Sequence, residues 1–273
     1  MIKATYVDHM GTDLTVANAA RVSFGKKSEM DTSDVWGPPK LKDKDAKLIR
    51  YLAKHKHISP FGHCFASFHI KAPVFVARQL VKHKFLRWNE ISRRYVDDLP
   101  SYYTPKFRHA AKNKKQGSGN EMAISHQQDA VLEQSYIKAH ESYKYLIKTG
   151  VCPEQARIVL PQGVMTEWYW SGSLDAFADM CNLRCASDTQ YETRLVAAQI
   201  SDEMQKIFPV SWSALVKVNV HQAEVQTEIR PFDKSERNRA KEKSKANKLA
   251  HERVQPQDLN QVWYDGDGGE LYE

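Results

Sequence analysis

The chain has no apolar run approaching the ~20 residues that a membrane-spanning helix needs. Its first residues, "MIKATYVDHMGTDL", lack the apolar core of a secretory signal. Cysteine is scarce, with four residues at Cys64, Cys152, Cys181 and Cys185 and no CxxC pair. Cys181 and Cys185 stand one helical turn apart, but no histidine pair lies near to complete a zinc site. These absences predict a soluble, cytoplasmic protein whose thiols are free and buried or half-buried. Four chemical signatures are also missing. Without GxGxxG or GxxxxGK(S/T), neither a dinucleotide-binding Rossmann unit nor a P-loop is indicated. Without GxSxG or HExxH, neither a nucleophile elbow nor a zinc-protease helix is. His55, His57, His63 and His69 are suggestive by number, yet residues two apart share a face only on a strand. No metal site is expected.

What is present suffices for a packed core. The 273 residues are 41% hydrophobic and 10% aromatic, enough for one large domain or two small ones. The net charge of +7 points to anionic partners such as nucleotides, phosphates or nucleic acid. Residues 2–7 read as a strand, and "NAARVSFG" as the start of a buried helix. "DVWGPPK" is a turn. "DKDAKLIRYLAKHKH" sets Leu48, Ile49, Tyr51 and Leu52 at helical spacing behind Asp43 and Asp45, with Pro60 as its stop. "CFASFHIKAP" alternates as a strand. "VFVARQLVKHKF" reads as a helix with Val76, Leu80 and Val81 inward. "AAKNKKQGSGNEM" reads as a mobile loop. Residues 127–149 predict a long amphipathic helix with Val131, Leu132, Tyr136, Ile137, Tyr143, Leu146 and Ile147 inward and Gly150 as its C-cap. "PEQARIVLP" reads as a short helix and "VMTEWYW" as β-prone. Ser173 is placed to N-cap "LDAFADMCNLRC", and residues 189–208 predict a helix ended by Pro209.

Composition divides the chain after Phe232. Residues 1–232 read as the folded domain, and residues 233–273 as a basic and then acidic tail. "KSERNRAKEKSKANKLAHER" holds eight Lys or Arg against three Glu and almost no apolar stripe, so a solvated helix or a disordered tail is expected. Without aromatic residues interleaved for base stacking, nucleic-acid contact by this tail is a side role at most.

One stretch concentrates chemistry. "KHKFLRWNEISRRY" carries six cationic or titratable basic residues, Lys82, His83, Lys84, Arg87, Arg93 and Arg94, against the single carboxylate of Glu90. Arginine and lysine clamp phosphates, arginine with a two-donor fork. Asn89, Glu90 and Ser92 can take hydroxyls or amide edges. Together they equip a site for a nucleotide; the competing reading is a solvated basic loop, since cations also suit the end of the preceding helix.

The pattern Arg78, Gln79, His83, Asn89, Glu90, Ser92, Arg94, Tyr95 resembles the signature of the flavin-dependent thymidylate synthases, RHRxxSxNExSxRY. Lys82 and Lys84 replace arginines of that signature and Arg87 replaces a serine. "LTVANAARVSF", "KHKHISPFGH", "FHIKAPVFVARQ", "NKKQGSG", "ARIVLP", "WYWSGSL" and "NLR" follow in family order over roughly residues 1–215. The resemblance implies a mixed α+β fold, helices around a central sheet, and a homotetramer with sites at subunit interfaces. It implies dUMP as substrate, dTMP as product, FAD as cofactor, and NADPH and methylenetetrahydrofolate as co-substrates. A flavin suits the task because the methylene delivered to the pyrimidine must still be reduced, and no side chain supplies hydride.

Carried over residue by residue, the resemblance implies cofactor contacts at Ser59, Lys82, His83, Lys84, Glu90, Ser173, Leu174, Asp175 and Asp179. It implies substrate contacts at Gln79, Lys82, Glu90, Ile91, Ser92, Arg93, Arg94, Arg157 and Arg184. Arg184, in "NLR", matches the arginine that polarises the pyrimidine, and is the implied catalytic residue. Some relatives carry basic or amide residues where this chain has Asp175, Asp179 and Asp188, and a carboxylate where it has Gly62. Three carboxylates would repel a pyrophosphate, so either the adenosine end of the flavin is held differently or these positions lie further from it. Two alternatives to thymidylate synthesis stand beside it. One is a deoxypyrimidine-nucleotide hydroxymethylase on the same scaffold, to which Arg87 and those carboxylates are relevant. The other is a nucleic-acid-binding protein acting through the basic tail.

Overall fold

Two alternating segments organise the molecule. In the computed structural model, residues 1–111, 117–218 and 228–230 are described. The first strand, β1 (Lys3–Met10), leads into α1 (Asp13–Arg21) and α2 (Asp43–Lys54). Then come β2 (Phe65–Pro73), α3 (Val74–Leu80) and β3 (Leu86–Glu90). Three short strands follow, β4 (Tyr102–Thr104), β5 (Arg108–Ala110) and β6 (Ser118–Glu121), and then the long α4 (His126–Lys148) and the single turn α5 (Pro153–Ala156). The chain closes with β7 (Met165–Ser173), α6 (Leu174–Arg184), α7 (Tyr191–Ile207), α8 (Pro209–Leu215) and β8 (Glu228–Arg230). The architecture is mixed α and β, as expected.

The central sheet has the order β1-β2-β7-β3, every pair antiparallel. Period-2 alternation on β2 and β7 buries Ala66, Phe68, Ile70, Trp168 and Trp170 on one face. Against that face pack α6 and α7, through residues such as Phe177, Met180, Leu195 and Ile200. Phe177 sits edge-on to Phe68 and Trp170, with centroids 5.4 and 5.8 Å apart. Each such fully buried side chain contributes on the order of 1.5–3 kcal/mol. The opposite face is polar and half-open. There Ser67 and Ser171 share a 2.8 Å hydrogen bond, and Lys71 Nζ lies 2.8 Å from a Glu167 oxygen. Gly172 lets β3 approach β7 closely: a Cβ there would meet the Leu86 side chain and lie 3.2 Å from the Phe85 carbonyl oxygen.

Several local expectations are corrected. The helix over "NAAR" stops at Arg21, and Val22 and Phe24 form an exposed 3-10 turn closed by Gly25 at φ 63°. The end of α2 is Lys54, before Pro60 acts: Lys56 takes a positive φ of 58° and turns the chain. The helix α3 ends at Leu80, so Val81 is exposed and not inward. Part of the expected loop, Ser118–Glu121, is strand β6 paired with β5; residues 112–116 lie outside the described residues. On α4, Tyr136 and Tyr143 are buried but Val131 faces solvent. Pro209 does end α7, yet it also opens α8 as its first residue. Ser173 holds the N-cap position of α6 without a side-chain cap bond. Cys64, Cys181 and Cys185 are buried free thiols, whereas Cys152 is exposed. The basic and acidic tail, residues 233–273, lies outside the described residues. No helix among those described is long and apolar enough to cross a membrane.

Candidate active site

Within one protomer, the basic stretch is divided by the fold between two clefts. It starts where α3 runs out. Val81 N–H bonds back to Ala77 O, and His83 N–H to Leu80 O at 3.2 Å. The chain then turns into β3, whose Leu86–Glu90 pair with Trp168–Gly172 of β7.

The first cleft, of about 790 Å³, lies where the C-terminal ends of α3 and α6 meet the turn before α7. Its polar lining includes Gln79, Lys82, Arg108, Arg184, Asp188 and Gln190. Arg184 is aimed by the last turn of α6. Its Nε donates to His83 Nε2 at 3.1 Å, and one Nη to the Gln79 carbonyl at 3.4 Å. To accept that bond, His83 must be neutral with its proton on Nδ1. Burial, and secondly the Arg184 charge, push its pKa down to about 4. Burial also lowers the pKa of Arg184, but an arginine stays charged. The Gln79 side chain is committed within the protein: its amide donates to Gln190 Oε1, and its oxygen accepts from Thr193 Oγ1 at 3.2 Å.

Arg108 was not expected from the sequence. It reaches across from β5 to Glu192 at 2.8 Å, and its guanidinium covers the Tyr191 ring at 4.5 Å. With side chains 16% and 4% exposed, this is a largely buried ion pair. No local motif signals it, because its partners are 84 residues apart.

The second cleft, of about 720 Å³, is rich in arginine: Arg78, Arg93, Arg94 and Arg157 line it with Glu90 and Ser92. Ile91 also lines it, while its N–H donates to Glu167 O at 2.9 Å. Arg93 is held by the Asp98 carbonyl at 2.6 Å and Arg157 by the Glu154 carbonyl at 3.1 Å. Arg94 lies over the Tyr95 ring at 4.9 Å and donates to its hydroxyl at 2.9 Å. Glu90 Oε1 accepts from Thr166 Oγ1 at 2.6 Å, and Oε2 from Trp88 Nε1 at 3.1 Å. Four cations around one carboxylate have the chemistry to hold a dianion and, separately, a hydrogen-bond donor. Arg78, although part of the recognisable pattern, was not singled out as a contact, and Thr166 gave no signal.

The remaining expected residues lie elsewhere. Lys84 and Arg87 are exposed and, among the described residues, form no ion pair. Ser59 opens a 3-10 turn, Ser59–His63, that packs on α6. Asp175, in the first turn of α6, has a buried Oδ1 with no hydrogen-bond partner, and a Cβ on Gly62 would lie 3.9 Å from that oxygen. Asp179 follows one turn later; burial, and secondly Asp175, raise its pKa. Leu174 is fully buried and its N–H donates to Cys64 O at 2.8 Å, so its contribution there is packing. Asp188 does not join Asp175 and Asp179: it lines the first cleft, beyond the far end of α6. The three carboxylates are therefore not one cluster. Among the described residues, no three His, Cys, Asp or Glu side chains are grouped to hold a metal ion.

Comparison with known proteins shows the family. Residues 5–210 match the family model described as "Thymidylate synthase complementing protein". The chain is 37% identical over 209 residues to a flavin-dependent thymidylate synthase of Thermus thermophilus, covering 76% of this chain and 73% of that one. It is 36% identical over 213 residues to the flavin-dependent thymidylate synthase of Kosmotoga olearia, covering 77% and 88%. Among solved structures, the UMP/dUMP methylase PolB from Streptomyces cacaoi bound with 5-Br dUMP is similar, with a TM-score of 0.68 at 29% identity over 78% of this chain and 94% of that one.

Proposed function

The chain belongs to the flavin-dependent thymidylate synthase family, and we propose on that premise that it makes dTMP from dUMP. Methylenetetrahydrofolate is the carbon donor in this reading, FAD the cofactor and NADPH the reductant. The observation that carries it is the second cleft, where four arginines and one separately held carboxylate suit a phosphate dianion and a sugar or base donor.

The residues also fit a flavin dinucleotide. Lys82, Lys84 and Arg87 are exposed cations suited to a pyrophosphate. The unpartnered Oδ1 of Asp175 suits a sugar hydroxyl or an amine, and not a phosphate. This supports an adenosine end held by acceptance at Asp175 while the phosphates lie toward the lysines. When bound, the flavin supplies the hydride that turns the transferred methylene into methyl.

The protein's own residues do the rest. Arg93, Arg94, Arg157 and Ser92 fix the nucleotide phosphate, and Glu90 accepts a neutral donor. Ile91 packs beside them, and Gln79 braces Arg184 through its backbone carbonyl. Arg184, on the first cleft, faces the pyrimidine where that cleft meets the second cleft of a neighbouring subunit, and stabilises the negative charge that develops as C5 attacks the methylene carbon. Neutral His83 holds the Arg184 guanidinium from behind.

The reading extends to a cytoplasmic homotetramer with sites at subunit interfaces. Two clefts left open on one protomer, and exposed apolar side chains such as Phe85 and Tyr169, support it. Incubation of the purified protein with dUMP, methylenetetrahydrofolate, FAD and NADPH tests the reaction, with mass analysis of the product. A methylated nucleotide supports it. A hydroxymethylated one would establish the alternative chemistry, and no change in dUMP would refute both. Light scattering during size-exclusion chromatography tests the tetramer.

A further inference from the structure

Glu90 is the carboxylate lining the arginine cleft, yet none of the four guanidinium groups there is hydrogen-bonded to it among the described residues. That arrangement is unstable by itself. A glutamate side chain is long and mobile, and a free carboxylate among guanidinium forks collapses into a bidentate pair. The collapse would consume a phosphate-binding fork and the cleft's acceptor together. Two neutral donors prevent it. Thr166 Oγ1 lies 2.6 Å from Oε1, a separation typical of a hydroxyl–carboxylate bond with charge assistance. Trp88 Nε1 lies 3.1 Å from Oε2.

Both donors are anchored. Thr166 is 5% exposed on the central strand β7, opposite Ala72 of β2. Its β-branched side chain is stiff about χ1, so the hydroxyl direction is set by the sheet. Trp88 stacks on Trp168 at 4.3 Å with an interplanar angle of 19°. The mobile carboxylate is thus tied to the most rigid part of the fold, while the arginines reach the cleft from α3, the segment after β3 and the turn after α5.

We propose that Thr166 is a positioning residue for the nucleotide: its hydroxyl, helped by the Trp88 indole, keeps Glu90 apart from the arginines, so that the arginines remain for the phosphate and the carboxylate for an N–H or O–H donor of the sugar or base. The proposal rests on the dUMP reading above.

Four variants test it: Thr166→Val, Thr166→Ser, Glu90→Gln and the double variant Thr166→Val/Glu90→Gln. For each, calorimetry gives dUMP affinity, steady-state assays give kcat and KM, and thermal unfolding confirms the fold. A lost hydrogen bond to a charged group predicts that Thr166→Val weakens dUMP about tenfold or more, with KM rising more than kcat falls. Thr166→Ser, which keeps the hydroxyl, stays within about threefold of wild type. In the Glu90→Gln background, Thr166→Val adds no more than about twofold, because its effect runs through Glu90. Unchanged dUMP affinity in Thr166→Val, or full additivity with Glu90→Gln, overturns the proposal. If Thr166→Val fails to fold, Trp88→Phe decides: it keeps the stack, removes the second donor and should weaken dUMP about threefold, and no change overturns the proposal. A wild-type protein that does not bind dUMP overturns the proposed function itself. That result differs from normal wild-type binding with an unaffected Thr166→Val.

Discussion

Replacing Arg184 with alanine removes two anchored donors at once, Nε at 3.1 Å from His83 and an Nη at 3.4 Å from the Gln79 carbonyl. Those bonds hold the guanidinium against the protein while its remaining N–H groups face the first cleft. Among the described residues, its charge is not paired with a carboxylate. A fixed, partly desolvated donor aimed at developing charge is worth about 3–4 kcal/mol, so Arg184→Ala should lower kcat by about 10²–10³. Arg184→Lys keeps the charge, but a single ammonium cannot brace against His83 and Gln79 and still present a planar edge, so most turnover is lost there too. Flavin absorbance of both variants should match wild type. A second readout is independent of activity. The His83 pKa is held at about 4 by burial first and by the Arg184 charge second. Removing that charge should raise it toward 6.5 without reaching it, because burial persists; NMR titration of the imidazole reads the change. Turnover of Arg184→Ala within threefold of wild type, at normal flavin content, would refute the catalytic assignment. An unmoved His83 titration would refute the contact.

Stability should depend on pH through the same histidine. His83 is protonated in the unfolded chain below its ordinary 6.5 but remains neutral when folded down to about 4, so stability falls as pH drops through that window and is restored above it. Because the ring is half-exposed, the loss is of order 1–2 kcal/mol, readable from urea midpoints at pH 7 and 4.5. Glu192→Ala strands the buried guanidinium of Arg108 and should cost about 3–5 kcal/mol in the same assay. Replacing all four cysteines with Ala should leave turnover per folded molecule intact: burial pushes the Cys64 thiol up to about 11 and raises that of Cys181, while Cys185, lowered by its hydrogen bond with Cys181, is buried. A folded variant without turnover would show a catalytic thiol. Truncation after Phe232 should leave turnover at moderate salt unchanged, and a tenfold loss with assembly intact would place the tail in the site.

The sheet was legible because period-2 alternation is a local property: Ala66, Phe68, Ile70 and Trp168, Trp170 bury on one face as their spacing predicts. The long helix α4 was legible for the same reason, and Ser125 with Gln128 forms a capping box at its start. What failed was decided at a distance. "VKHKF" is compatible with continued helix, but β3 must reach β7 through the gap that Gly172 leaves, so α3 ends early. Val131 fits a helical stripe on α4 yet has nothing packed over it. In the site, Arg93, Arg94 and Ser92 could be named from a contiguous motif. Its division between two clefts could not, because Glu90 is oriented by Thr166, 76 residues away, and Arg184 by His83, 101 residues away.

The two carboxylate oxygens of Asp13 accept from the backbone N–H groups of Val210 and Ser211, at 2.8 and 2.9 Å. This aspartate opens α1 and caps α8, although the two helices are 197 residues apart in sequence. At the start of β1, the Ala4 N–H donates to Gln199 Oε1 at 3.0 Å, tying this edge strand to α7. During synthesis, at about 5–20 residues per second, these two contacts therefore wait on the order of 10–40 s for their later partners. Until α8 emerges, the largely buried charge of Asp13 lacks its two donors, and β1 lacks its tie to α7. The order of assembly follows: β1 can pair with β2 as soon as both are made, β7 joins later, once Met165–Ser173 has emerged, and the clasp to α7 and α8 closes last. A chain stopped before Pro209 should remain open at that edge and be a ready substrate for proteases, while one stopped after residue 218 retains this clasp.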